Sequence, residues 1–154
     1  MLQKKDATND FLGRGWSFPP SFIKKGAMQS HVKMSIAVDD INESLRILLS
    51  TSLGERVMQP IYGCNLEDYQ FEPMNSTLLG FIRDTVENAL LYFEARIRVE
   101  EVKISESYST DAINGYVRIE VQYQVRSSNS RFNFVYKFYL QERAKTELFP
   151  GDQR

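Results

Sequence analysis

The amino-acid sequence predicts an α+β fold: two main helices packed on one face of a mostly antiparallel sheet, with an extended N-terminal arm. Three observations carry this. Apolar residues recur at helical spacing in two segments, from Ile41 and from Leu78. Further on they alternate with polar residues at a period of two over 116–125 and again over 132–140. Ahead of both lies FLGRGWSFPPSF (Phe11 to Phe22), where aromatics sit among Gly and a Pro-Pro pair.

The arm, residues 1–30, comes first. Pro19-Pro20 forbids helix and favours extended or polyproline geometry. Phe11, Trp16, Phe18 and Phe22 are too apolar for a disordered linker. Two readings follow: a strap packed on its own domain, or a strap whose aromatics anchor it to a neighbour.

The main domain is expected over 31–140. HVKMSI alternates Val32, Met34 and Ile36 and reads as a short strand. Asp39-Asp40 then offer helix caps and acidic first-turn residues. Ile41, Leu45, Leu48 and Leu49, with Leu53 as a last candidate, define a helix ending near Gly54. Asn75 or Ser76 caps a second helix with Leu78, Leu79, Ile82, Val86, Ala89, Leu90 and Phe93 on its buried face. RVEEVKI (98–104) has strand composition with imperfect alternation. YVRIEVQYQV and the run Phe132, Phe134, Tyr136, Phe138, Leu140 are strands joined by a hairpin at SSNS. Their other face carries Arg118, Glu120, Gln122 and Lys137 and is wet or polar-bound. The charged tail, 141–154, reads as a frayed end.

Between the helices lies TSLGERVMQPIYGCNL. Gly54, Pro60 and Gly63 interrupt regular structure, so the segment reads as a corner that sets two helices on a sheet. Arg56 can cap the preceding helix while Glu55 pairs locally. The alternatives are a clamp to the other helix or a partner, and catalysis. Cys64 is expected as a small buried apolar side chain.

Composition narrows the function. Apolar residues make up 42% of 154, enough for one domain with a core, and the net charge of −1 leaves no nucleic-acid or anionic-membrane footprint. The pairs Lys4-Lys5 and Lys24-Lys25 read as solvated side chains. The polar stretch Met1 to Asp10 shows no secretory h-region and no run is long enough to span a bilayer, so cytoplasmic synthesis is expected. A single Cys and a single His exclude most zinc patterns, and no Gly-rich phosphate loop is present; no cofactor or metal is expected. A Cys64–His31 dyad has nothing else to support it.

ILLSTSLGERVMQPIYG resembles the signature of the GPW-type baseplate wedge family, which includes the sheath-initiator subunits of contractile phage tails, type VI secretion systems and extracellular contractile injection systems. The matching residues are Leu48, Leu49, Thr51, Gly54, Glu55, Arg56, Met58, Pro60 and Gly63. In element order the resemblance spans roughly Met34 to Leu140, and the leader GRGWSFPPSF is similar to the start of injection-system and phage-like members. The family's second mark, Glu-Pro-Arg, appears as Glu94-Ala95-Arg96. Ala permits helix where Pro would end it, which leaves room for the second helix to run further.

The resemblance implies a structural baseplate protein rather than an enzyme. It implies that Glu94 and Arg96 attach to the wedge core-bundle proteins and that an exposed strand edge, expected on the hairpin of residues 116–140, takes strands from the sheath protein. Tube or spike hub proteins are further partners, in a six-fold arrangement, with no nucleic acid and no direct membrane contact. The alternatives are a lysozyme-like peptidoglycan hydrolase, drawing on carboxylates such as Glu43, Glu55, Glu67, Asp68, Glu72 and Glu94, or a small scaffold domain outside any tail.

Overall fold

The computed structural model describes residues 12–25, 29–73, 75–108 and 115–139. Phe11, Leu140 and the tail 141–154 lie outside these residues. The arm folds into two small antiparallel pairs. Strand β1 (Arg14–Trp16) pairs with β4 (Met34–Ile36), and β2 (Phe22–Lys25) pairs with β3 (Gln29–Val32). HVKMSI is therefore not one strand. It breaks at Lys33, whose amide donates to Ser21 O and whose carbonyl accepts from Ser17, tying the two pairs together. Nor is Ile36 a core residue: it is exposed, while Ser35 is buried opposite Gly15.

Helix α1 (Val38–Ser50) buries Ile41, Leu45, Leu48 and Leu49. Its start differs from expectation. The cap position is Ala37, with a positive φ and no side-chain cap, while Asp39 and Asp40 sit in the first turn. Its end comes four residues before Gly54. Thr51 is extended and its hydroxyl bonds back to Ile47 O at 2.6 Å, which satisfies a terminal carbonyl and stops the helix. A 3-10 turn at Leu66–Tyr69 follows. Helix α2 (Ser76–Phe93) is capped by Asn75, whose Oδ1 accepts from Leu78 N at 2.8 Å. It buries Leu78, Ile82, Val86, Ala89 and Leu90.

The main sheet has the order β5-β6-β7: β5 (Ile97–Tyr108), β6 (Gly115–Val125) and β7 (Arg131–Tyr139), all antiparallel. The imperfect alternation of β5 has a cause. A register shift between Val99 and Glu101 lets Ile97 and Val99 face inward before it, and Val102 and Ile104 after it. From β6, Val117, Ile119, Val121, Tyr123 and Val125 enter the core, with Phe134 and Phe138 from β7. Each fully buried aliphatic side chain contributes roughly 1.5–3 kcal/mol, so this layer between sheet and helices dominates stability. The topology also narrows the docking edge expected on the hairpin of residues 116–140. Strand β6 is hydrogen-bonded on both sides, so Tyr116–Val125 has no free edge; among the described residues the edges are β5 and β7.

Candidate protein-docking site

Three neighbouring features make up the candidate site: a charged junction at the end of α2, the loop after α1, and the sheet edges. The junction is built from Glu94-Ala95-Arg96. Despite Ala95, α2 ends at Phe93. Glu94 leaves helical geometry because its carboxylate turns to grip Arg96 with both oxygens: Nε donates to Oε1 and Nη2 to Oε2, each at 2.7 Å. The Ile97 amide then bonds Glu94 O and the chain enters β5. Arg96 also reaches across the fold. Its Nη1 donates to Asp40 Oδ2 on α1 at 2.6 Å and to Leu12 O of the arm at 2.9 Å.

Glu94 is only 4% exposed, and burial pushes its carboxyl upward. Hydrogen bonds from Arg96 and Ser44, with the guanidinium charge, outweigh burial and hold it below the usual carboxylate range. The bond to Glu94 raises the Arg96 value in turn, with Asp40 adding to it. The junction is a fixed ion network and not an acid poised to give up a proton. Nearby, Tyr123 donates to Asn42 Oδ1 at 2.8 Å, and burial with the Glu94 charge pushes its hydroxyl up to about 12.

The loop is a closed ring pinned at its neck. Cys64 N donates to Thr51 O at 3.0 Å and Gly54 N to Pro60 O at 2.7 Å. Gly54 and Gly63 both have positive φ. A Cβ at Gly63 would overlap the Thr51 carbonyl oxygen. Arg56 does not cap α1. It lies beyond the helix end and stacks over the Tyr62 ring, 4.7 Å from its centroid. Glu55 closes locally, accepting from Ser52 N at 3.0 Å. The ring presents what the helical periodicity could not reveal: Val57 and Met58 are over 90% exposed, with Leu53 and Ile61 beside them in the chain. Their placement among Gly and Pro, off any core period, was the available signal.

Cys64 is buried at the neck, and burial pushes its thiol up to about 12. At pH 8 it is therefore expected to resist iodoacetamide until the protein is unfolded, as checked by intact mass; rapid native labelling would contradict its placement. His31 is exposed on β3. Among the described residues no three His, Cys, Asp or Glu side chains group to hold a metal ion.

The arm's aromatics face outward. Trp16 and Phe22 are 62% and 71% exposed and meet edge-on at 6.3 Å, with Phe18 also exposed. The arm's root is buried instead, at Leu12 and Ser17, and the Ser17 hydroxyl has no hydrogen-bond partner among the described residues. The arm thus has a root seated on its own domain and an exposed aromatic face.

Each edge of the main sheet borders a groove. One, of about 210 Å³, lies between β7 and the end of α1, lined by Leu49, Thr51, Leu66, Gln70, Tyr136 and Phe138 among others. The second, about 270 Å³, lies between β5 and α2, lined in part by Leu91, Ile97, Arg98 and Arg126. Strand β5 carries the register shift and the charged run Arg98, Glu100, Glu101, Lys103, both of which discourage strand addition. Strand β7 pairs with β6 without a register shift over nine residues. Among the described residues no helix is long and apolar enough to cross a membrane.

Known proteins share this fold. The family model of baseplate wedge protein gp25 matches residues 35–130. The baseplate wedge protein gp25 of Enterobacteria phage T4 is 28% identical over 90 residues, 58% of this chain and 68% of that protein. A Geobacter sulfurreducens protein provisionally described as a tail lysozyme superposes with a TM-score of 0.60 at 46% identity, covering 69% of this chain and 93% of its own. A chain of the anti-feeding prophage baseplate gives a TM-score of 0.62 at 24% identity, over 91% of this chain and 95% of that one. A chain of the type VI secretion system baseplate gives 0.52 at 17% identity, over 66% and 92%. The last two, below 25% identity, speak for the fold alone. With the family model matched across the helix, the ring, the junction and the first hairpin of the sheet, the chain belongs to the baseplate wedge protein gp25 family.

Proposed function

We propose that this protein is a structural subunit of a contractile tail-like baseplate that joins the wedge to the sheath, and that its β7 edge takes the first sheath strands. The observation that carries the reading is the regular outer edge of β7 beside its groove, unpaired among the described residues. Backbone groups along such an edge bond an incoming strand whatever its sequence, and the groove receives an inward side chain and so sets register. Wedge attachment falls to Arg96, the partly exposed member of the junction, with Glu94 holding it in place. The arm's Trp16, Phe18 and Phe22 supply a further apolar anchor to a neighbouring wedge or hub protein. The solved anti-feeding prophage baseplate is six-fold symmetrised, and the same arrangement is proposed here. Its match leaves out fewer residues than the 34 that precede the family match, so the shared fold reaches into the arm.

The hydrolase alternative finds little support in the geometry. A general acid needs a carboxyl whose pKa is raised, whereas the buried Glu94 is held low by Arg96.

The test is a set of single proline substitutions over residues 133–137, keeping the variants whose circular dichroism matches the parent. Those that remove an outward-facing N–H are expected to abolish co-assembly with sheath in particles viewed by negative-stain microscopy. If every folded variant still carries full sheath, the β7 reading is wrong. Particles that form normally in a strain lacking the gene would refute the baseplate role itself.

A further inference from the structure

The same side chains that form the charged junction hold the root of the arm. We propose that Glu94, Arg96 and Asp40 form the seat of the N-terminal arm, with Arg96 its positioning residue, and that a partner's bidentate grip on Arg96 and a seated arm exclude one another. A guanidinium has five N–H donors. Among the described residues four are in use, two on Glu94, one on Asp40 and one on Leu12 O. A partner carboxylate therefore meets one unused N–H, and a two-point grip displaces Asp40 and the arm carbonyl.

The seat is shaped for the arm as well as charged. Gly13 has a φ of 81°, and a Cβ there would lie 3.5 Å from Arg96 Nη1. At Gly15 a Cβ would overlap the Asp40 carboxylate. Beyond the root, Phe18 N donates to Glu43 Oε2 at 3.1 Å and Ala37 N to Gly13 O at 3.4 Å, so the arm's attachment continues along α1. The fork geometry is essential. Glu94 fixes the guanidinium plane through two parallel bonds, and that plane aims Nη1 at Leu12. Lysine keeps the charge but has no plane to fix. The seat concerns the isolated chain and stands or falls apart from the sheath reading, while the exclusion rests on the reading of Arg96 as the wedge attachment.

The experiment is residue-resolved hydrogen exchange on the full chain, comparing the parent with Arg96→Lys and Gly15→Ala. Gly15→Ala keeps every charge and presses only on Asp40. Both variants are expected to speed exchange at the Phe18 and Ala37 amides by about tenfold or more. Protection of the core amides of β6 should stay as in the parent, and the anisotropy of Trp16, the sole tryptophan, should fall. Unchanged protection at Phe18 and Ala37 in Arg96→Lys would overturn the proposal. So would an equal loss across β6, which would make Arg96 a general stabiliser. To test the exclusion, a short peptide carrying two adjacent glutamates is titrated onto the parent and onto Gly15→Ala. Tighter binding to the unseated variant is expected, and equal or weaker binding refutes the exclusion.

Discussion

Replacing Glu94 with alanine is expected to destabilise the protein by about 3 kcal/mol, because it removes the two-oxygen partner of a largely buried guanidinium and leaves Asp40 as the remaining carboxylate. For a domain of this size that corresponds to a fall in Tm of roughly 10 °C. The acid limb of stability should change as well. The folded Glu94 carboxyl lies below its unfolded value, so its contribution is fully present above about pH 4.3. It is lost as pH falls through the lower folded value. In Glu94→Gln this part of the pH dependence is expected to vanish, while the fold survives at a smaller cost. Urea unfolding of parent and variants between pH 3 and 7 measures both effects. Parallel curves for parent and Glu94→Gln would show that Glu94 gains nothing from Arg96.

Gly63→Ala is expected to be the most damaging change in the ring, at about 3 kcal/mol. Two costs add there. The positive φ strains any L side chain, and the new methyl overlaps the Thr51 carbonyl that the Cys64 amide needs. Gly54→Ala separates the two. Gly54 also has a positive φ, but nothing lies within 4 Å of its Cβ position, so only the conformational cost of about 1 kcal/mol applies. Thermal unfolding of the pair, with intact far-UV spectra as the control, reads out the difference. Equal losses would mean that the neck of the ring yields to the methyl.

Periodicity served well where one element faces one core. The α2 stripe and the alternation of β6 are decided by burial on a single side; β6 is present as read, and α2 buries Leu78, Ile82, Val86, Ala89 and Leu90 while Leu79 and Phe93 are only partly covered. It served badly where a second contact intervened. Asp39 and Asp40 are the acidic first-turn residues of α1 that the spacing suggests, but neither caps it: Asp40 is turned to a guanidinium 56 residues away and the cap position passes to Ala37. Arg56 looked like a C-terminal cap because a helix through Gly54 would have ended beside it. Side-chain bonds from Ser50 and Thr51 back to Ile47 end the helix earlier. Ala95 left room for more helix, but the two-oxygen grip of Glu94 on Arg96 turned the chain first.

The sequence by itself determined the α+β class, the two amphipathic helices, the β6–β7 hairpin and the family likeness, because these rest on spacing and residue type within one segment. Only the tertiary structure decided that β5 and β7 are the sheet edges among the described residues, that Arg96 joins Asp40 and Leu12, and that the ring turns Val57 and Met58 outward. The reason is physical. Strand order and long-range ion pairs arise from packing between segments distant in the chain, where loop closure leaves several partners in reach and complementarity of shape and charge selects among them.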